Sequence, residues 1–226
     1  MSIRILSIIL LIHSLVFPQN MWIGNSVATS DNVDALYLNP AGLGINRSMS
    51  SIFLPVSTLD SIFSIHTVDR FGNFGYTTKY VDGDDFFNPA DFNIGFGSSI
   101  AKNLFTGLTW NKHHTVTLGM LYRPINFLST GFTVTSDDEF LKLNTGRFGL
   151  AIRPIMGNHR LTFGTDVQYE SIMDDSETES WNQSVIPFVE IQVIPGLSIT
   201  ANSIGTESTD SKWEFDNWSV NIGLSF

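Results

Sequence analysis

Asn217-Trp218-Ser219-Val220-Asn221-Ile222-Gly223-Leu224-Ser225-Phe226 closes the sequence and decides its reading. Trp218, Val220, Ile222, Leu224 and Phe226 are apolar; Ser219, Asn221, Gly223 and Ser225 between them are small or polar. Side chains alternate faces along a strand, so one face of this segment is apolar and the other is not. Such a strand has two homes. In a soluble sandwich the apolar face turns to a core. In lipid it turns outward, and the polar face looks into the interior of a closed sheet.

The same alternation recurs upstream. Phe92, Ile94 and Phe96 are interleaved with Asn93, Gly95 and Gly97; Phe148, Leu150 and Ile152 with Arg147, Gly149 and Ala151. Leu161, Phe163, Val167 and Tyr169 share a face, as do Val185, Val189, Ile191 and Val193. Helix formers are sparse, and no long segment has helical periodicity. The pattern predicts about twelve strands, at 49–57, 61–68, 72–81, 92–100, 104–111, 114–122, 126–135, 139–153, 159–171, 184–194, 197–205 and 217–226. Pro187 cannot donate to a ladder, so a bulge or a strand start is expected there.

The opposite end carries a different signal. After Met1-Ser2-Ile3-Arg4 the chain runs apolar from Ile5 to Phe17, interrupted by Ser7, His13 and Ser14. One basic residue before such a run fits a secretory signal peptide, taken here as residues 1–20. The run falls short of the ~20 residues a transmembrane helix needs. There is no cysteine, which excludes a lipid-anchored cysteine, disulfides and thiolate metal sites. With 22 acidic against 12 basic residues the net charge is −10, a poor match to nucleic acid.

The predicted strands put short connections on one side, near 68–71, 101–103, 123–125, 154–158 and 194–196. The longer connections fall on the other side with most of the acid, including Asp82, Asp84, Asp85, Asp91, Asp137, Asp138, Asp174, Asp175, Glu177, Glu179, Glu207, Asp210, Glu214 and Asp216. Long outer loops and short inner turns are the rule in membrane barrels. Tyr80, Trp110, Tyr169 and Trp218 would form an outer aromatic girdle, Tyr122 and Phe226 an inner one. By alternation Lys79, Arg147, Asp166, Gln168, Glu190 and Gln192 face the interior, and Arg147 is placed to pair with Asp166. In a small barrel such residues either fill and brace the lumen or tune its selectivity.

Catalytic signals are weak. His113 and His114 are adjacent but lack a matching nucleophile or carboxylate nearby in sequence, and His66 and His159 stand alone. Asp82-Gly83-Asp84-Asp85 has oxygen ligands but not the rest of a calcium loop, so it reads as a solvated turn. No enzyme, no metal and no cofactor is expected.

Two stretches resemble known families. The final amphipathic strand with its terminal Phe226 resembles the assembly signal of bacterial outer-membrane β-barrels, which implies handling by the barrel-assembly machinery. Asp34-Ala35-Leu36-Tyr37-Leu38-Asn39-Pro40-Ala41-Gly42-Leu43-Gly44 is similar to the Asn-Pro-Ala stretch of the outer-membrane fatty-acid transporter family (FadL-like) and of the type IX secretion barrels (PorV-like). The resemblance implies that Asn39, Pro40, Ala41 and Gly42 belong to a plug or hatch inside a barrel. Proline suits a break from helix and strand, and Asn39 offers hydrogen bonds to unpaired backbone. The expected fold is all-β: a transmembrane antiparallel outer-membrane β-barrel of about 12 strands over 49–226, preceded by a plug at 21–48. The resemblance implies binding or passage of small hydrophobic molecules across the outer membrane. Its alternative is a non-transporting scaffold that meets a secretion partner. Outer-membrane lipid is the expected surrounding, with no nucleic acid.

Overall fold

A computed structural model describes residues 26–30, 33–45, 49–53, 64–71, 73–81, 91–136, 142–155, 160–173, 179–194, 197–207 and 213–224. The expected signal peptide 1–20, Phe226, His159, Asp82-Gly83-Asp84-Asp85, Asp137, Asp138, Asp174, Asp175, Glu177 and Asp210 lie outside them.

Among the described residues two short 3-10 helices, Val33–Leu36 and Pro40–Gly44, precede the strands. Twelve strands follow: β1 (Met49–Phe53), β2 (Ser64–Phe71), β3 (Phe74–Val81), β4 (Asp91–Ala101), β5 (Leu104–Asn111), β6 (Val116–Ile125), β7 (Leu128–Ser136), β8 (Leu143–Ile152), β9 (Leu161–Met173), β10 (Glu179–Ile194), β11 (Leu197–Glu207) and β12 (Trp213–Leu224). They form one 12-stranded sheet in simple chain order, each strand antiparallel to the next. Among the described residues no helix is long and apolar enough to cross a membrane.

Alternation sorts this sheet into two unlike faces. Phe96, Leu118, Phe132, Phe148, Phe163, Ile191 and Val220 stand exposed, Phe96 at 56% and Val220 at 57%. Their chain neighbours Gly95, Gly97, Gly119, Gly131, Gly149 and Thr162 are buried. Most large apolar side chains thus face outward, while small and polar ones, together with Leu121, Ile186 and Phe188, are covered, largely the reverse of a soluble sheet lying on a core.

The covering comes from the chain's own N-terminal segment. Tyr37 shares a hydrogen bond with Thr77 on β3, and Ala28 packs with Ala151 on β8 and Phe188 on β10. In a flat sheet β3 and β10 would stand about 34 Å apart. Residues 28 and 37 are far closer than that, since Asn39 donates to the Val27 carbonyl at 2.7 Å. The sheet therefore curls around this segment.

Several expected boundaries move. The turn expected at 123–125 lies at 126–127, because Pro124 is inside β6 and is absorbed by a register shift between Tyr122 and Ile125. A residue without an N–H is tolerated at such an irregularity. The turn expected at 68–71 moves beyond Phe71. Pro187 neither starts nor bulges β10; it pairs with Thr165 on β9 in an unbroken register. Its missing donor is felt on the β11 side, where pairing passes from Val185–Gly205 to Phe188–Asn202. On that same β11 stretch, a register shift between Asn202 and Ile204 displaces the ladder to β12 at Ser203.

β9 and β10 extend past their predicted ends, so the connection expected at 172–183 shortens. Asp91, Glu179, Glu207, Glu214 and Asp216, expected on connections, belong to strands β4, β10, β11 and β12. The added start of β10 and end of β11 lack apolar alternation and so read as loop, whereas Trp213-Glu214-Phe215-Asp216 at the start of β12 does alternate and was missed.

Candidate functional site

Pro40 enters its 3-10 helix at the first turn, where a missing N–H is harmless. Asn39 caps that helix: its Oδ1 accepts from the Ala41 N–H at 3.1 Å. The same side chain donates through Nδ2 to the Val27 carbonyl at 2.7 Å and to the Met120 carbonyl on β6 at 3.0 Å. Asn39 is fully buried, so each of these bonds satisfies a group that water cannot reach. It ties together both halves of the segment and the sheet. Asn39, Pro40, Ala41 and Gly42 all lie buried on the covered face.

The wall is shaped to receive them. Gly97 pairs with Gly107, and Gly107 with Gly119, across β4, β5 and β6. A Cβ on Gly97 would overlap the Gly44 nitrogen, one on Gly107 the Pro40 carbonyl, and one on Gly119 the Asn39 amide. At Gly97 and Gly107 backbone therefore lies directly on backbone, and at Gly119 a side chain does. One step along the strands a second row begins: Gly131 pairs with Gly149, and Gly149 with Asp166, across β7, β8 and β9. A Cβ on Gly131 would overlap the Val27 carbonyl, and one on Gly149 the Asp166 carboxylate.

Asp166 replaces glycine at the end of that second row. Its side chain is 0% exposed and accepts from three groups. Ser26 Oγ donates to Oδ1. The Val27 N–H donates to Oδ2 at 2.9 Å, and Arg147 Nε donates to Oδ2 at 2.7 Å. A buried carboxylate is tolerated when paired and hydrogen-bonded in this way. Ser26 Oγ in turn accepts from the Ala28 N–H at 3.0 Å, and Ser129 Oγ on β7 donates to the Ala28 carbonyl at 2.6 Å.

Tyr37 sits at the other flank of the segment, hydrogen-bonded to the buried Thr77 hydroxyl. Burial raises the Tyr37 phenol above the ordinary tyrosine value; the Thr77 bond opposes that rise and the Asp91 carboxylate adds to it.

The six expected interior residues divide. Arg147 and Asp166 form the ion pair expected of them. Gln168 lies opposite Arg147 and donates to Glu170 at 3.4 Å. Glu190 lies opposite Thr162 and Thr200, and Gln192 opposite Ser198, further along β10 than Ile186, which is Asp166's neighbour. Four residues of strand, about 13 Å, separate Ile186 from Glu190. Lys79 is in register with His66 and Asp91; its side chain lies outside the described residues.

Of the expected assembly signal, Trp218, Val220, Ile222 and Leu224 are in β12. Of the expected girdles, Trp110 meets Phe92 edge-on at 5.3 Å, and Tyr122 and Tyr169 are exposed. Trp181, exposed on the lengthened β10, was not expected among them. His113 and His114 occupy the β5–β6 turn, exposed, with His114 in the left-handed backbone region at φ 62°. Among the described residues no group of His, Cys, Asp or Glu is placed to hold a metal ion.

Sequence reasoning missed Ser26, Val27, Ser129 and the two glycine rows. The signal for the rows was present: glycine recurs on the polar face of successive strands. Nothing local, however, ties that face to a segment more than fifty residues earlier.

No family model matches the chain, and no curated protein matches it. Among solved structures it is similar to the NanC porin in a rhombohedral crystal form: 10% identity, 79% of this chain and 98% of that chain covered, TM-score 0.43.

Proposed function

We propose that the chain is an outer-membrane β-barrel, exported by its N-terminal leader, in which residues 21–48 form a hatch across the lumen. Its role in this reading is to bind or pass small hydrophobic molecules. One observation carries the barrel and hatch: a single curled sheet exposes large apolar side chains on one face and seats its own N-terminal segment on the other. An outward apolar face is what lipid demands, and a closed sheet is what satisfies backbone polar groups there. Closure requires β12 to meet β1. The ligand class follows the Asn-Pro-Ala resemblance, and we assign no catalytic role.

The test is reconstitution in planar bilayers, read as conductance, with binding of the apolar fluorophore N-phenylnaphthylamine measured in parallel. Insertion with fluorophore binding, and conductance that rises when residues 21–47 are removed, is the expected result. Insertion with no binding and no conductance in either form would sink the passage role.

A second reading is favoured by the depth of packing: Ser26, Val27, Ala28 and Ser30 are fully buried, so the covered face is occupied where they lie. A filled barrel suits a scaffold that meets a secretion partner. Stoichiometric co-purification of one partner from outer membranes would support it.

A further inference from the structure

We propose that the hatch is built in two parts: residues 26–30 are its releasable part, held by Asp166 as a catch, and residues 39–45 are a wedge that stays in place. This rests on the hatch reading above.

The two parts are held by different means. The wedge lies on Gly97, Gly107 and Gly119, and only three residues separate Ile45 from β1, so a short connection ties it to the wall. Val27 also lays its backbone on Gly131, but residues 26–30 are held besides by individual polar contacts, two of them on one carboxylate. Ser26 Oγ and the Val27 N–H reach Asp166, Ser129 takes the Ala28 carbonyl, and Asn39 takes the Val27 carbonyl, a bond between the two parts that lifting must break.

The arrangement also has a second resting state. A buried carboxylate abandoned by its donors is strongly unfavourable. Asp166 would not be abandoned, because Arg147 is on the neighbouring strand and moves with the wall, not with the segment. Once residues 26–30 lift, water replaces Ser26 and Val27 while the ion pair persists. A two-state element of this kind needs both arrangements to be satisfied. Lifting this part uncovers the wall of β7–β9, lined by Gly131, Gly149, Arg147 and Asp166. The passage therefore opens beside the ion pair, not beside Asn39.

The chain has no cysteine, so a single introduced thiol reports one position. Ser30 Oγ is buried and makes no hydrogen bond in the structure, so Ser30→Cys removes none. Leu43→Cys places a thiol in the wedge without adding bulk. Both full-length variants are reconstituted in vesicles and labelled with a bulky maleimide, with folding followed by heat-dependent gel mobility. Asp166→Asn keeps the shape but removes the charge, and its NH2 replaces one acceptor, facing either the Ser26 hydroxyl or the Val27 and Arg147 N–H groups, so every bond to the segment is weakened or lost. It should speed labelling of the Ser30→Cys protein by about tenfold or more, the scale of a bond to a charged group. The Leu43→Cys protein should stay within about twofold. Equal acceleration at both positions would mean that the segment leaves as one piece, and no acceleration at Ser30→Cys would mean that Asp166 is no catch; either overturns the proposal. Should Asp166→Asn fail to fold, Ser26→Ala removes one donor and spares the ion pair; several-fold faster labelling at Ser30→Cys is expected, and an unchanged rate overturns it. This labelling pattern without fluorophore binding would sink the passage role and leave the catch intact. Binding and conductance without the pattern would do the opposite.

Discussion

The two glycine rows use the same wall to different ends. Across β4–β6, Gly97 and Gly107 let backbone lie on backbone and Gly119 admits the Asn39 side chain, and contact there is mainly a matter of shape. Across β7–β9 the row ends in Asp166, and contact becomes a matter of charge and hydrogen bonds. Shape tolerates no intrusion but is indifferent to a lost polar group. A polar catch is the reverse. The comparison separates what positions the N-terminal segment from what secures its far end.

The largest effect should come from breaking the shape. Gly107→Val would drive side-chain atoms into the Pro40 carbonyl and is expected to lower stability by about 3 kcal/mol or more, read as the urea midpoint of the folded gel band. A wild-type midpoint would mean that the backbone contact is not there. Asp166→Ala comes next. It takes the buried carboxylate from Arg147 and frees Ser26 and Val27, at about 3 kcal/mol, softened wherever water enters the lumen. If Arg147→Ala and the double variant show no coupling with it in a double-mutant cycle, the ion pair carries no stability.

Asn39→Ala sharpens the comparison, since Asn39 touches both halves. Losing its cap and two carbonyl contacts should cost about 2 kcal/mol by the same assay. A change below about 0.5 kcal/mol would show that shape alone holds the wedge. The smallest effect belongs to Gly146→Ala. Gly146 is on β8 like Gly149, but nothing stands within 4 Å of where its Cβ would be. Stability should stay within about 0.5 kcal/mol of the parent, and a large loss would mean that strand glycines matter here for backbone reasons and not for the segment they face.

Much of this was legible in the sequence because the sheet runs in chain order. Period-two alternation locates the twelve strands, and adjacent strands make Arg147 and Asp166 foreseeable partners. Asn39 and Pro40 announce a capped turn by local chemistry alone. The Ser26–Asp166 contact spans 140 residues and depends on which rows of the wall a distant segment meets. No periodicity encodes that. Pro124 and the polar ends of β9 and β10 misled for a related reason: the ladder continues where the side chains no longer advertise it. The polar strand ends also divide the acid differently, since part of it decorates β10, β11 and β12 and not the connections between them.

One detail of the sheet bears on its mechanics. Between β10 and β11 the pairing at Ile186 and Pro187 is missing, and Ser203 on β11 is displaced from the ladder to β12. The two irregularities lie side by side, on the two edges of β11. Ile186 is also the register neighbour of Asp166. A stretch of wall with fewer cross-strand bonds thus adjoins the residue gripping the N-terminal segment, so the backbone has room to yield beside that grip.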